Sequence, residues 1–273
     1  MNNASPVISW SRHQRQLLLS LFIAVLGSGV LPTWVSGAGT KPKIAILIAD
    51  EHYNTEESLP IFAEKFLASK YQVVLVWGSK SEPKGERSVT FDRIDALADA
   101  NLLLVSSTRR APRKDQLDAI RKYVASGRPV VGVRTANHAF IISPGNTRKP
   151  GFEEWREWDA EVIGGNYTGH HKKGPEIKIA ATDPGHPILQ GVKTPFGFNS
   201  TLYKVSPLRP GAKVLLMGEL AGQPTEPIAW LFERKGGGKT FYIAMGTVDD
   251  FANPPFTQCL QNAIGWLLQN SAR

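Results

Sequence analysis

The chain has 273 residues, 42% of them hydrophobic, and carries a formal net charge of +8. That balance excludes a disordered or fibrous chain and leaves room for one large or two small globular domains. Its basic residues are scattered, as in Arg109–Arg110, Arg113–Lys114 and Lys172–Lys173, without interleaved aromatics, so they read as a solvated surface and not as a nucleic-acid interface.

At the amino end, Arg12 and Arg15 precede an apolar run from Leu17 to Leu31, and Ser36-Gly37-Ala38 supplies the small residues a signal peptidase reads. The run is shorter than the roughly 20 residues a membrane span needs. Residues 1–38 are therefore expected to be a cleaved export signal rather than a retained anchor. The mature chain, residues 39–273, is expected to be periplasmic or secreted, with no membrane segment.

Lys43 to Ile48 is an Ile-rich apolar run and predicts the first interior strand. It ends in Asp50-Glu51-His52-Tyr53. Thr55, followed by Glu56, Glu57, Ser58 and Pro60 in the first turn, predicts a helix start ahead of Ile61, Phe62, Phe66 and Leu67. Tyr71–Trp77 reads as a second strand, Asp92–Ala98 as a short helix and Leu102–Val105 as a third strand. Pro112–Ala125 carries Leu117, Ile120, Tyr123 and Val124 at helical spacing and stops at Gly127.

The stretch Arg128 to Phe140 comes next. A buried strand, Pro129–Val133, feeds a sharp turn and a helix expected to begin near Ala136, with Gly132 supplying freedom before the bend. This is the outline of a nucleophile elbow, in which the residue at the turn stands exposed at the sheet's carboxyl edge. Here that residue is Arg134, whose guanidinium stays protonated and cannot attack a substrate.

Residues 143–175 are rich in Gly, Pro, Trp and Asn and read as an irregular excursion over the site. Runs at Ile177–Ala180, Leu202–Val205, Val214–Met217, Ile228–Phe232 and Thr240–Met245 then follow one another without helices, which predicts antiparallel hairpins. A helix over Pro255–Leu268 closes the chain, and Cys259, the only cysteine, falls on its apolar spacing as a core residue. The fold class is therefore α/β, a doubly wound, mostly parallel sheet with antiparallel strands added in the C-terminal half, in one domain without internal repeats.

Ligands of open α/β sheets sit outside the carboxyl ends of the strands. Three polar clusters fall there: Asp50 to Tyr53, Arg134 to His138, and Thr247 to Asp250. The excursion adds His170 and His171. Glu51, His52, His138 and His170 are the proton-transfer candidates, and Tyr53, Arg134, Thr135, Asn137, His171 and Asp249 are the candidate ligand-binding residues.

No cofactor is expected. Imidazole and carboxylate would suit a first-row divalent ion, yet no H-E-x-x-H or H-x-H is present, and His170 and His171 point to opposite faces if extended. His186, in the turn Asp183-Pro-Gly-His-Pro187, reads as structural. The group Glu153, Glu154, Glu157 and Asp159 reads as a solvated face, with Trp155 or Trp158 stacking on a sugar as the sharper alternative. Gly236-Gly-Gly238 lacks the Lys-Ser/Thr of a P-loop.

With ADEHYNTEESLP, GRPVVGVRTANHAF, VIGGNYTGHHKKG, DPGHPILQGV and FYIAMGTVDDF in view, the chain from about Lys41 to Gln269 resembles the trehalose-utilisation (ThuA-like) family. The fold of that family is similar to class I glutamine amidotransferases. The resemblance implies a flavodoxin-like sandwich and a role in carbohydrate metabolism, with a disaccharide or keto-sugar as the small-molecule partner. Against the amidotransferase pattern, Arg134 stands where the nucleophilic cysteine would be and Thr247 near where the partner histidine would be, so glutamine hydrolysis is expected to be absent. A noncatalytic sugar-binding or assembly subunit is the alternative, and a structural domain whose pocket is plugged by its own side chains is the third reading. The oligomeric state is not legible.

Overall fold

The apolar runs form the interior of one nine-stranded mixed sheet. The computed structural model describes residues 40–80 and 85–271; the segment read as an export signal lies outside the described residues. In chain order the strands are β1 (Lys43–Ala49), β2 (Gln72–Trp77), β3 (Leu102–Ser107), β4 (Val130–Val133), β5 (Ile177–Ala181), β6 (Phe196–Phe198), β7 (Ala212–Glu219), β8 (Glu226–Glu233) and β9 (Lys239–Ile243). Across the sheet they lie in the order β2-β1-β3-β4-β9-β8-β7-β5-β6. The first five are mutually parallel. The last four are added antiparallel, as the helix-free C-terminal half predicts.

β3 and β4 are buried at every residue and β1 at all but its first, which is why their sequences are near-continuous apolar runs rather than alternating ones. Each such side chain removed from water stabilises the fold by about 1.5–3 kcal/mol before entropy is counted. Three α-helices pack around the sheet: α1 (Thr55–Phe66), α2 (Lys114–Ala125) and α3 (Pro254–Asn270). Phe251 joins α1 to α3, its ring 5.8 Å from Phe62 and 5.1 Å from Phe256. Cys259 is buried in α3, and burial pushes its thiol up to about 12.

Several local expectations need correction. The residue before α1 is Asn54, in the left-handed region at φ 51°, while Thr55 is already helical and shares a 2.8 Å hydrogen bond with Ser106. Pro60 accordingly lies in the second turn. The crossover from β2 to β3 holds a 3-10 segment, Ile94–Ala98, rather than an α-helix. After β4 comes a single 3-10 turn, Arg134–His138, whose Ala136 carbonyl accepts both the Ala139 N–H at 3.3 Å and the Trp158 indole N–H at 2.6 Å. The bend is made by Arg134 itself, at φ 49°. Gly132 serves close packing instead, since a Cβ there would lie 3.0 Å from both Ile163 and Tyr242.

The run Leu202–Val205 does not join the large sheet. Tyr203–Lys204 pairs antiparallel with Gly169–His170 and so latches the excursion down. Trp158 is fully buried, which removes it as a sugar-stacking surface. Trp155 is half-buried beneath Arg121, with 5.6 Å between guanidinium and ring centroid. His186 accepts the Ile188 N–H at 3.2 Å and is structural, as read from its turn.

Candidate functional site

β1 leads outward to β2, and the chain then returns to place β3 on the other side of β1, so the winding reverses between β1 and β3. Loops leaving such a pair part from each other and open a crevice at the carboxyl edge. The walls of this crevice are tied by Asp50, a buried carboxylate at the end of β1. It accepts hydrogen bonds from the backbone N–H groups of His52 (2.9 Å) and Tyr53 (3.4 Å), from the Thr135 hydroxyl (2.7 Å) and from the Thr108 hydroxyl. One acid thus fixes the loops after β1, β3 and β4 relative to one another. Nothing in the cluster Asp50 to Tyr53 marks which residue turns inward, and the sequence reading passed over Asp50.

The loop Thr108–Arg110 separates two clefts. One, of about 220 Å³, is lined by Glu51, His52, Arg87, Thr108 and Arg110, with Glu51 3.7 Å from the Arg110 guanidinium. The other, of about 270 Å³, is lined by Arg109, Asn137, His138, Asp159, Tyr167 and Arg209 among others. A larger, mainly apolar cavity of about 760 Å³ lies beside Val124, Trp155, Val162 and Gly236–Gly237. It sits toward the C-terminal end of α2, away from the strands' carboxyl ends, and holds none of the predicted site residues.

Arg134 is fully enclosed (0% exposed). Its Nη1 donates to the carbonyls of Ala244 (2.6 Å) and Thr201 (3.2 Å), and its Nη2 donates to the hydroxyls of Ser200 (2.9 Å), Thr201 (2.9 Å) and Tyr53 (3.2 Å). The rings of Tyr203, Tyr53 and Phe198 surround the guanidinium at 4.0, 4.8 and 5.4 Å. Five oxygens and the aromatic faces offset the cost of burying the cation without a carboxylate. Its Nε has no partner among the described residues. Arg134 therefore ties the elbow to Tyr53 and to the Ser200–Thr201 segment from below the rim.

His138, 6% exposed, stacks on Tyr167 with centroids 4.4 Å apart at 23°. Its Nδ1 lies 2.6 Å from Asn137 Oδ1. An oxygen there requires the proton on Nδ1 and leaves the Nε2 lone pair open. Burial, followed by the charges of Arg109, Arg134, His52 and His170, holds its pKa well below the ordinary histidine value.

The remaining candidates divide. His52 is exposed and packs edge-on against Tyr53 at 4.5 Å. His170 is exposed, its Nδ1 3.0 Å from the His171 carbonyl. His171 turns inward, as alternation in an extended segment predicts, with Nδ1 2.8 Å from Gln223 Oε1 and Nε2 3.5 Å from Glu226. Thr135 is buried against Asp50. Asp249 is exposed and lines neither polar cleft, while its neighbour Asp250 is buried and accepts from the N–H groups of Gly246 and Thr247, both at 2.8 Å, and from the Thr247 hydroxyl at 2.9 Å.

Two further residues emerge only from the structure. Asp159 belongs to no solvated face. It opens a short π-helical segment, Asp159–Ile163, accepts the Tyr167 N–H at 2.7 Å, and has an enclosed Oδ1 without a partner. Burial pushes its carboxyl up to about 7. Arg109 follows β3, at a strand end, which is the signal that could have found it. Among the described residues no group of three or more His, Cys, Asp or Glu side chains is placed to hold a metal.

Parallel core strands, a reversed winding and a polar rim around an elbow define an α/β protein of the open-sheet, ligand-binding kind. The chain belongs to the ThuA family, described as trehalose utilisation, whose model matches residues 45–267. Among solved structures it is similar to a ThuA-like protein from Bacteroides uniformis, with 18% identity, a TM-score of 0.63, and coverage of 86% of this chain and 94% of that one. It is also similar to a ThuA-like protein from Parabacteroides merdae, with 14% identity, a TM-score of 0.57, and coverage of 85% and 92%. No curated protein matches the chain.

Proposed function

We propose that this protein binds a carbohydrate, of the disaccharide or keto-sugar class, in the rim around His138 and acts on it by proton transfer. The observation that carries the reading is the His138 ring. One nitrogen is fixed by Asn137, the ring is held neutral by its surroundings, and the other nitrogen is open beside a polar cleft. Membership of a trehalose-utilisation family supports a sugar as the occupant.

In the proposed step the Nε2 lone pair takes a proton from the carbon next to a sugar carbonyl, and the electrons of that C–H bond move onto the carbonyl oxygen. The donors beside that position are Asn137 Nδ2, buried and without a partner among the described residues, and Arg109. His138 itself returns the proton, since Glu51 and His52 line the neighbouring cleft and His170 lines neither, and Arg134 positions Tyr53. Arg134 at the elbow and Thr247, hydrogen-bonded to Asp250, where an amidotransferase has its cysteine and histidine, support a reaction other than glutamine hydrolysis. The basic start, apolar run and small residues of positions 1–38 support export.

One observation favours a noncatalytic binder instead. The guanidinium expected to face the ligand is engaged by five protein oxygens. Calorimetry and product analysis with trehalose, glucose and their 3-keto derivatives decide between the two. Binding with turnover that His138→Gln abolishes supports the enzyme, and saturable binding without product supports the binder. Unchanged binding and turnover in His138→Gln would place the site elsewhere.

A further inference from the structure

The cleft beside His138 is more cationic than a neutral sugar requires. Arg109 projects from the loop after β3, 6.0 Å from the Tyr167 ring centroid, and Arg209 rises from the segment before β7. Neither forms an ion pair among the described residues. A third guanidinium, Arg156, is paired with Glu154 at 2.9 Å. The one acid lining the cleft is Asp159, set against the three guanidinium groups.

Two buried polar atoms here lack partners among the described residues, Asn137 Nδ2 and Asp159 Oδ1. Buried groups of this kind are normally satisfied, and here an enclosed donor and an enclosed acceptor without partners belong to two residues that line one cleft. The volume of about 270 Å³ falls just under the roughly 300–1,000 Å³ usual for drug-sized ligands. It suits one sugar ring.

We infer that this cleft is a subsite for a single sugar ring bearing one anionic group, a carboxylate or a phosphate, held by Arg109 and Arg209 while Asn137 and Asp159 meet its uncharged oxygens. The planar guanidinium fork matches both anions. The inference rests on the proposed sugar site and adds the charge of its ligand. After burial, the charge of Arg109 contributes most to depressing the pKa of His138, so an anion bound at Arg109 should move His138 back toward the ordinary histidine value.

The test is calorimetry on the full chain at pH 7.5 and low salt with glucose, glucuronate, glucose 6-phosphate and inorganic phosphate. At least tenfold tighter binding of one sugar anion than of glucose is expected, with the advantage shrinking as salt rises, and the stronger of the two identifies the anion. In Arg109→Gln and Arg209→Gln that ratio should collapse toward one. Arg209 is exposed, so its variant keeps the test available should Arg109→Gln fold poorly. Glucose binding as tightly as both anions, inorganic phosphate matching the sugar anions, or an anion preference surviving in the variants would each overturn the subsite while leaving the carbohydrate reading intact. No binding of any sugar, charged or neutral, would remove that reading and this inference with it.

Discussion

The Thr135 hydroxyl donates to Asp50 Oδ2 at 2.7 Å across 85 residues of sequence, bolting the turn after β4 to the end of β1. Asp50→Ala would strand this hydroxyl, that of Thr108 and two backbone N–H groups. Each buried unsatisfied donor costs about 1–3 kcal/mol, so a loss of roughly 3 kcal/mol or more is expected in urea denaturation. Thr135→Val, which removes one of these donors, should cost about 1 kcal/mol. Equal effects would show that Asp50 does not join the loops.

Arg134 supplies a second test, because its planar donors meet five oxygens that a single ammonium cannot reach together. Arg134→Lys should lose about 2–4 kcal/mol and loosen Tyr53 and Tyr203, visible as altered tyrosine fluorescence. A lysine variant with wild-type stability would mean the fork geometry is dispensable.

Asp159 and His138 should give stability opposing slopes with pH. Asp159, at about 7 in the fold, binds a proton that the unfolded chain has released above its ordinary value near 3.8. Its contribution is therefore greatest at low pH and is lost as pH rises through about 7. His138, depressed in the fold, leaves stability intact above the ordinary 6.5 and erodes it as pH falls below that value. Denaturation curves between pH 4 and 8 should show Asp159→Asn removing the first slope and His138→Gln the second.

Gly246 has φ 138°, and a Cβ there would lie 2.4 Å from Val133 and 3.2 Å from Arg134. Gly246→Ala should cost about 2 kcal/mol or more and displace the elbow, lowering the melting temperature and weakening any ligand held by His138. A neutral substitution would show that the turn has room to shift.

The sheet was legible because β1, β3 and β4 are continuous apolar runs, and the antiparallel extension because no helical spacing separates β7, β8 and β9. The turn after β4 was not, since the indole of Trp158 that bonds to its Ala136 carbonyl is remote in sequence. Strand ends announced His138, Asn137 and Arg134 as a group. They could not announce that Arg134 would be sealed from the clefts, nor that Asp250 rather than Asp249 would turn inward, because that choice depends on which backbone N–H groups a finished turn leaves facing the core. Asp159 was masked by acidic neighbours that do remain in water.

The elbow with arginine at φ 49° also bears on how such a scaffold could be re-engineered. Installing a thiol by Arg134→Cys would vacate a slot walled by hydroxyls and tyrosine rings, and would find no imidazole at position 247, a threonine already committed to Asp250. Restoring the amidotransferase pair would therefore take an exchange at both positions and a new prop for the rim.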